Sequence, residues 1–88
     1  MFKPFFTLSD IRILAGGIAF LAGPENGTLV SFFLLREAIE HLAGRHIDAS
    51  GWQEVFDRQA GLIGEVAEQM MEAGVTSPPV ILRAAHFR

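Results

Sequence analysis

The sequence predicts a small α+β domain, in which an antiparallel sheet made of a β-hairpin and a C-terminal strand is covered on one face by one short and one long helix. The first indication is the turn sequence PENG at residues 24–27. It lies between residues 18–22 and 28–34, two segments rich in β-branched and aromatic side chains, and this arrangement is typical of a hairpin. The second is the change to helical periodicity from Leu35 onward. Strands followed by helices indicate the α+β class.

The first predicted element is a strand over residues 11–15, joined to residues 18–22 by a Gly16-Gly17 turn. The alternative is a helix that begins at Ser9 and places Ile11, Leu14, Ile18 and Leu21 on one face. We favour the strand because each glycine would weaken a helix interior by about 1 kcal/mol. The phenylalanine-rich residues 1–9 are expected to pack irregularly over the core.

The strand at residues 28–34 is apolar on both faces. Val30, Phe32 and Leu34 alternate with Leu29 and Phe33, and only Ser31 interrupts the second set. A sheet with one solvated face would alternate apolar and polar residues more regularly. Either the N-terminal residues or another subunit should therefore cover the second face. We predict a homodimer whose interface includes Leu29 and Phe33.

Two helices should follow this strand. The apolar positions of the first are Leu35, Ala38, Ile39 and Leu42, and Gly44 is suited to end it in the left-handed conformation. Ser50 begins an S-x-x-Q capping box for a long second helix, which Gly74 would end. The buried stripe of this helix would consist of Trp52, Phe56, Ala60, Ile63, Ala67 and Met70. The sequence TSPP at residues 76–79 cannot be helical, and the apolar residues 80–84 that follow it are predicted to form the final strand.

Residues 16–87 resemble a family of short bacterial proteins, the domain-of-unknown-function family fourteen eighty-eight (DUF1488). Three segments show the likeness: IAFLAGPENG, VSFFLLREAIEHL, and the helix WQEVFDRQAGLIGEVAEQMMEAG with the apolar strand that ends near His86-Phe87. The resemblance implies a small sheet with helices. It implies no site residues, because the function of that family is unknown, and the likeness in sequence does not extend over residues 1–10.

Composition limits the possible functions. The 88 residues suit one domain, residues 1–88, and half of them are hydrophobic, which favours self-association. A net charge of −3 argues against direct binding of nucleic acid, and the absence of cysteine excludes disulfides and thiolate ligands. The apolar residues 11–22 follow Lys3 as in a signal peptide, but Pro4 and Asp10 interrupt that pattern. The run is also shorter than a membrane span, so we predict a cytoplasmic protein.

Catalytic and metal-binding patterns are weak in this sequence. His41, His46 and Asp48 straddle the glycine break and match no metal-ligand spacing, so neither a metal nor another cofactor is predicted. The serines have simpler roles in caps, strands and loops, and none lies in a G-x-S-x-G motif. We therefore do not expect an enzyme.

The charged face of the long helix is the remaining candidate. Glu54, Asp57, Glu65, Glu68 and Glu72 fall on one side of it, over about 27 Å of a continuous helix. This acidic stripe could bind a basic groove of a partner, although a solvated helix face is the simpler interpretation. The sequence thus predicts a protein-interaction module. The alternative is a mobile-element or phage inhibitor of the anti-CRISPR type, whose acidic helix occupies a nucleic-acid-binding groove.

Overall fold

A computed structural model describes residues 6–87 and confirms the α+β class. The chain contains β1 (Phe6–Leu14), β2 (Gly17–Pro24), β3 (Val30–Leu35), α1 (Arg36–Ala43), α2 (Trp52–Arg58), α3 (Ala60–Glu72) and β4 (Val80–Leu82). The four strands form one sheet in the order β1-β2-β3-β4. Antiparallel pairing joins the first three strands, and β4 is parallel to β3.

Both predicted hairpins are present, but the first turn is shifted by one residue. Leu14 pairs with Gly17, so the two turn residues are Ala15 and Gly16 and not the predicted Gly16 and Gly17. The strand interpretation of residues 11–15 is confirmed for residues 11–14. The second turn is closed by a hydrogen bond of 3.0 Å from the Gly27 N–H to the Pro24 carbonyl oxygen. Residues 6–9 were expected to be irregular, and this was wrong, because β2 extends to Pro24 and pairs with them. Residues 1–5 lie outside the described part of the chain.

The edge strand β1 contains a bulge at Asp10 and Ile11. Ser9 pairs with Leu21 and Arg12 pairs with Ala19, so two residues of β1 stand opposite one residue of β2. Asp10 has a φ of 51°, in the left-handed region that aspartate tolerates better than most residues. The bulge therefore divides β1 into two short regular segments.

The direction of β4 differs from the prediction of an antiparallel sheet. The chain leaves β3, passes through three helices and returns beside β3 in the same direction, with Phe32 opposite Val80 and Leu34 opposite Leu82. Parallel neighbours require a crossover of this kind. Nothing in the short sequence of β4 encodes its direction, which is set by the path of the helices.

The helix α1 ends as predicted. Gly44 adopts φ 74° and donates a hydrogen bond of 2.9 Å from its N–H to the Glu40 carbonyl oxygen. The Arg45 N–H also reaches the Glu40 carbonyl oxygen, which completes a Schellman-type end. The glycine is favoured here because a side chain would strain the left-handed backbone.

The predicted long helix is not continuous, which corrects the sequence interpretation. Gln59 leaves helical geometry, with φ −105° and ψ 13°, and separates α2 from α3. Two glycines shortly after it, Gly61 and Gly64, reduce helix propensity by about 1 kcal/mol each relative to alanine. The Ser50 capping box is also absent, because Ser50 belongs to a short 3-10 turn and α2 begins at Trp52 without a side-chain cap.

One hydrophobic core lies between the sheet and the helices. The sheet contributes Ile18, Phe20, Ala22, Val30, Phe32, Leu34, Val80 and Leu82, and the helices contribute Ala38, Ile39, Trp52, Val55, Phe56, Ile63, Val66 and Ala67. The ring of Phe20 stacks on Phe32 at 5.5 Å and meets the edge of Phe56 at 5.2 Å. These residues alternate along each strand, so the described helices pack on one face of the sheet.

Candidate functional site

The second face of the sheet carries both apolar and polar side chains and is not covered by any described helix. Its positions follow from the strand pairing, because residues directly opposite each other point to the same side. We call this surface the open face and define it by Leu14, Ala19, Leu21, Phe33, Leu35 and Ile81. Leu14 is 47 % exposed, and the other five are half-buried. The same pairing places Thr7, Ser9, Arg12 and Ser31 on this side, so the apolar side chains of the open face lie next to polar ones.

The structure places both predicted interface residues on this side of the sheet. Phe33 lies in the middle of the open face, opposite Ala19 on β2 and Ile81 on β4. Leu29 precedes β3, is 43 % exposed and lies beside Gly23 at the end of the same side. Four further residues of this face were not among the predicted interface residues: Leu14, Leu21, Leu35 and Ile81. Leu21 could have been found from the sequence, because Ala19 and Leu21 alternate with the core residues of β2 and must point to the opposite side.

The acidic stripe is divided into two groups by the break at Gln59. Glu54 and Asp57 lie on α2, where Glu54 pairs with Arg58 at 2.8 Å and Asp57 accepts a hydrogen bond of 2.9 Å from Gln53. Glu65, Glu68 and Glu72 lie on α3, where Glu65 and Glu72 are exposed and Glu68 is half-buried. The five carboxylates therefore lie on two helices, two on α2 and three on α3, and not on the single continuous helix that was predicted.

A groove separates the edge strand β1 from α3. It has a volume of about 570 Å³, and its lining residues are Phe6, Leu8, Ala60, Gly61, Gly64, Glu65 and Glu68. The floor is apolar, because Leu8 packs beside Gly64, within 3.9 Å of the position that a Cβ atom would take there. Two of the five predicted partner-binding carboxylates, Glu65 and Glu68, thus border an apolar depression.

A charged cluster joins α1 to the loop that follows it. The Glu40 carboxylate pairs with Arg36 at 3.4 Å and also with His46. Burial by itself would raise the pKa of Glu40, but His46, the backbone N–H of Ile47 and Arg36 together outweigh it and lower the pKa. The cluster attaches residues 45–47 to the helix, and we assign it a structural role.

Replacing Glu40 by glutamine should destabilise the fold in a pH-dependent way. Because folding lowers the pKa of Glu40, its carboxylate stabilises the folded state fully above the ordinary value of 4.5. This stabilisation disappears as the pH falls through the lower folded-state pKa. Glu40→Gln should therefore melt below the wild type at neutral pH, and the difference should shrink as the pH falls below 4.5. Glu37→Gln on the same helix is the control, and an equal pH-dependent effect there would contradict this role of Glu40.

The histidines have separate surroundings. His41 is exposed on α1, and His46 belongs to the Glu40 cluster. The Nδ1 atom of His86 accepts a hydrogen bond of 2.9 Å from the Arg83 N–H, which organises the 3-10 turn after β4. Within residues 6–87, no three histidine, aspartate or glutamate side chains are grouped so that they could hold a metal ion.

The helices between residues 6 and 87 are all too short or too polar to cross a membrane. No protein-family model matches the sequence, and no curated protein is significantly similar to it.

The fold itself has a counterpart among solved structures. A crystal structure of a protein of unknown function from the DUF1488 family of Shewanella loihica PV-4 superposes with a TM-score of 0.75. The match covers 94 % of this chain and 97 % of that chain, at 18 % sequence identity. At this identity the likeness establishes the fold. The resemblance seen in the sequence is confirmed at that level: the chain has the fold of a DUF1488 family protein.

Proposed function

We propose that this chain is a non-catalytic protein-interaction module that associates as a homodimer through the open face of its sheet. The observation that supports the proposal most directly is the composition of that face, where six apolar residues span four strands without a covering helix among the described residues. The largest apolar patch on a small protein is often a functional surface.

A second copy of the chain is a suitable partner because the open face is nearly uncharged. The charged side chain that the strand pairing places on this side is Arg12, and it is paired at 3.2 Å with Asp10 of the same strand. Two identical apolar surfaces can cover each other around a twofold axis. Phe33, on the inner strand β3, would then lie near the centre of the interface, where aromatic side chains contribute most.

The size of the open face indicates weak association. Four strands at their usual spacing span about 15 Å, and six residues along a strand span about 20 Å, which gives a flat footprint of roughly 300 Å² per copy. A stable dimer buries about 800 Å² per partner. The dimer should therefore form at high micromolar concentration and dissociate on dilution.

Several observations support a role without catalysis. The described core contains no buried polar or charged side chain, so it has no desolvated acid or base. Glu40, whose pKa is lowered, connects α1 to the following loop. These features suit a scaffold that presents surfaces better than they suit an active site.

Light scattering across a concentration series tests the dimer. The wild type should approach twice the monomer mass at high micromolar concentration, whereas Phe33→Asp should remain monomeric because a buried carboxylate would oppose pairing. Leu62→Asp is the matched control, because Leu62 is 39 % exposed and lies on α3, away from the open face. This variant should dimerise like the wild type. A wild type that stays monomeric throughout, or equal effects of both variants, would reject the open face as the interface.

The inhibitor hypothesis predicts a different result. In that case all five acidic residues should contribute to binding of the partner. Replacing Glu65, Glu68 and Glu72 by lysine should then abolish capture of a nucleic-acid-processing complex from host lysate. The fold should survive, because these side chains lie on the polar side of α3. The division of the stripe at Gln59 gives this hypothesis less support than a continuous helix would have given.

A further inference from the structure

We infer that the groove between β1 and α3 binds a short, extended polypeptide segment that combines apolar and basic side chains, and that this segment pairs with the free edge of β1. This site is separate from the open face, so the inference does not depend on the homodimer.

The shape of the groove suits a side chain that inserts from an extended segment. Its floor is formed by Phe6 and Leu8, both half-buried, and its opposite wall by Gly61 and Gly64 of α3. The two glycines lie on one side of the helix, at i and i+3, and lack the side chains that would fill the space. A valine- or leucine-sized side chain could therefore contact the apolar floor.

The backbone of β1 supplies the second part of the site. In the sheet order β1 is outermost, so one edge of it has no neighbouring strand among the described elements. The bulge at Asp10 interrupts this edge, and residues 6–9 form the regular stretch that borders the groove. Addition of a strand to such an edge is a common mode of peptide recognition. The short regular length favours a brief segment over a continuous sheet.

The charge at the rim specifies the chemistry of the partner. Glu65 and Glu68 line the groove, and neither forms an ion pair with a described residue. No lysine or arginine occurs in α3. By contrast, Glu54 and Asp57 on α2 already contact Arg58 and Gln53. Lysine or arginine side chains on the bound segment would therefore find two available carboxylates beside the apolar floor.

Two labelled peptides of about seven residues test the inference by fluorescence anisotropy. In the first, valines alternate with arginines, and in the second, glutamates replace the arginines. The basic peptide should bind the wild-type protein, with an affinity that falls as salt increases, and the acidic peptide should not bind. Nuclear magnetic resonance should show new protection from exchange at amide protons within residues 6–9, since strand addition gives them hydrogen-bond acceptors.

Two double substitutions, each of which removes two negative charges, distinguish the groove from the whole acidic stripe. Glu65→Gln with Glu68→Gln should lower the affinity for the basic peptide about three- to ten-fold, as expected for the loss of two ion pairs at the protein surface. Glu54→Gln with Asp57→Asn removes the same charge from α2 and should leave the affinity within about two-fold. An equal loss in both double variants would overturn the groove as the site and indicate non-specific attraction to acidic surface.

A third variant fills the groove without altering its charge. A Cβ atom at Gly64 would meet Leu8 only at ordinary contact distance, so Gly64→Leu should fold and abolish peptide binding. Circular dichroism confirms the fold of each variant before binding is measured. Unchanged binding by folded Gly64→Leu, or equal binding of the acidic and basic peptides by the wild type, would refute the inference.

Discussion

Phe32→Ala should reduce the free energy of unfolding by about 3–5 kcal/mol, as is typical for truncation of a buried phenylalanine. Phe32 is fully buried on β3, and its ring stacks on Phe20 at 5.5 Å. It also lies opposite Val80, so its loss would leave a cavity where the crossover strand joins the sheet. Small domains are typically stable by 5–15 kcal/mol, and the variant should therefore unfold at a much lower urea concentration.

The neighbouring residue is the matched control for this prediction. Phe33 has the same side chain but lies on the open face, so Phe33→Ala should lower the stability of the monomer by only about 1 kcal/mol. Urea titrations at low protein concentration measure this difference without a contribution from association. At high concentration, Phe33→Ala should additionally lose the stability supplied by dimerisation. Equal losses for the two variants at low concentration would show that the two faces of β3 are wrongly assigned.

Gly17→Ala should also be strongly destabilising, with a loss of about 2–3 kcal/mol. A Cβ atom at residue 17 would collide with the Leu34 carbonyl oxygen and would lie 3.2 Å from the Leu35 Cα atom. Both are backbone atoms of β3, which cannot move without disturbing its pairing with β2. In a domain of this size such a loss lowers the melting temperature by about 10–20 °C, which thermal unfolding would measure.

The adjacent glycine should tolerate the same change. The nearest atoms to a Cβ at Gly16 belong to the Phe33 ring, at 3.7 Å, which is an ordinary contact. Gly16→Ala should therefore change stability by less than about 0.5 kcal/mol, or increase it slightly by restricting the unfolded chain. A large loss in Gly16→Ala, or none in Gly17→Ala, would contradict the close approach of β2 to β3.

The two proposed surfaces lie on different sides of the molecule. The open face is one side of the sheet, and the groove lies on the other side, between β1 and α3. A homodimer formed through the open face would leave both grooves accessible. Peptide binding by the monomeric Phe33→Asp variant would therefore show that the two sites act independently, whereas loss of binding in that variant would indicate that they are coupled.

The sequence by itself determined the features that depend on neighbouring residues. The turn at residues 24–27, the end of α1 at Gly44 and the burial of Trp52, Phe56 and Ile63 were all predicted, because turn chemistry and periodicity act within a few residues. The same pattern showed that β3 is apolar on both sides. The part of the candidate site that could be predicted was accordingly Phe33 and the positions of the acidic residues.

Only the tertiary structure decided how distant segments meet. It gave β4 its parallel direction, placed residues 6–9 in β1 and brought Leu14, Leu21, Leu35 and Ile81 onto one surface with Phe33. It also separated α2 from α3 at Gln59 and brought Glu65 and Glu68 beside Leu8. The physical reason is that strand register and helix packing depend on burial shared between segments far apart in the chain, which local propensity does not encode.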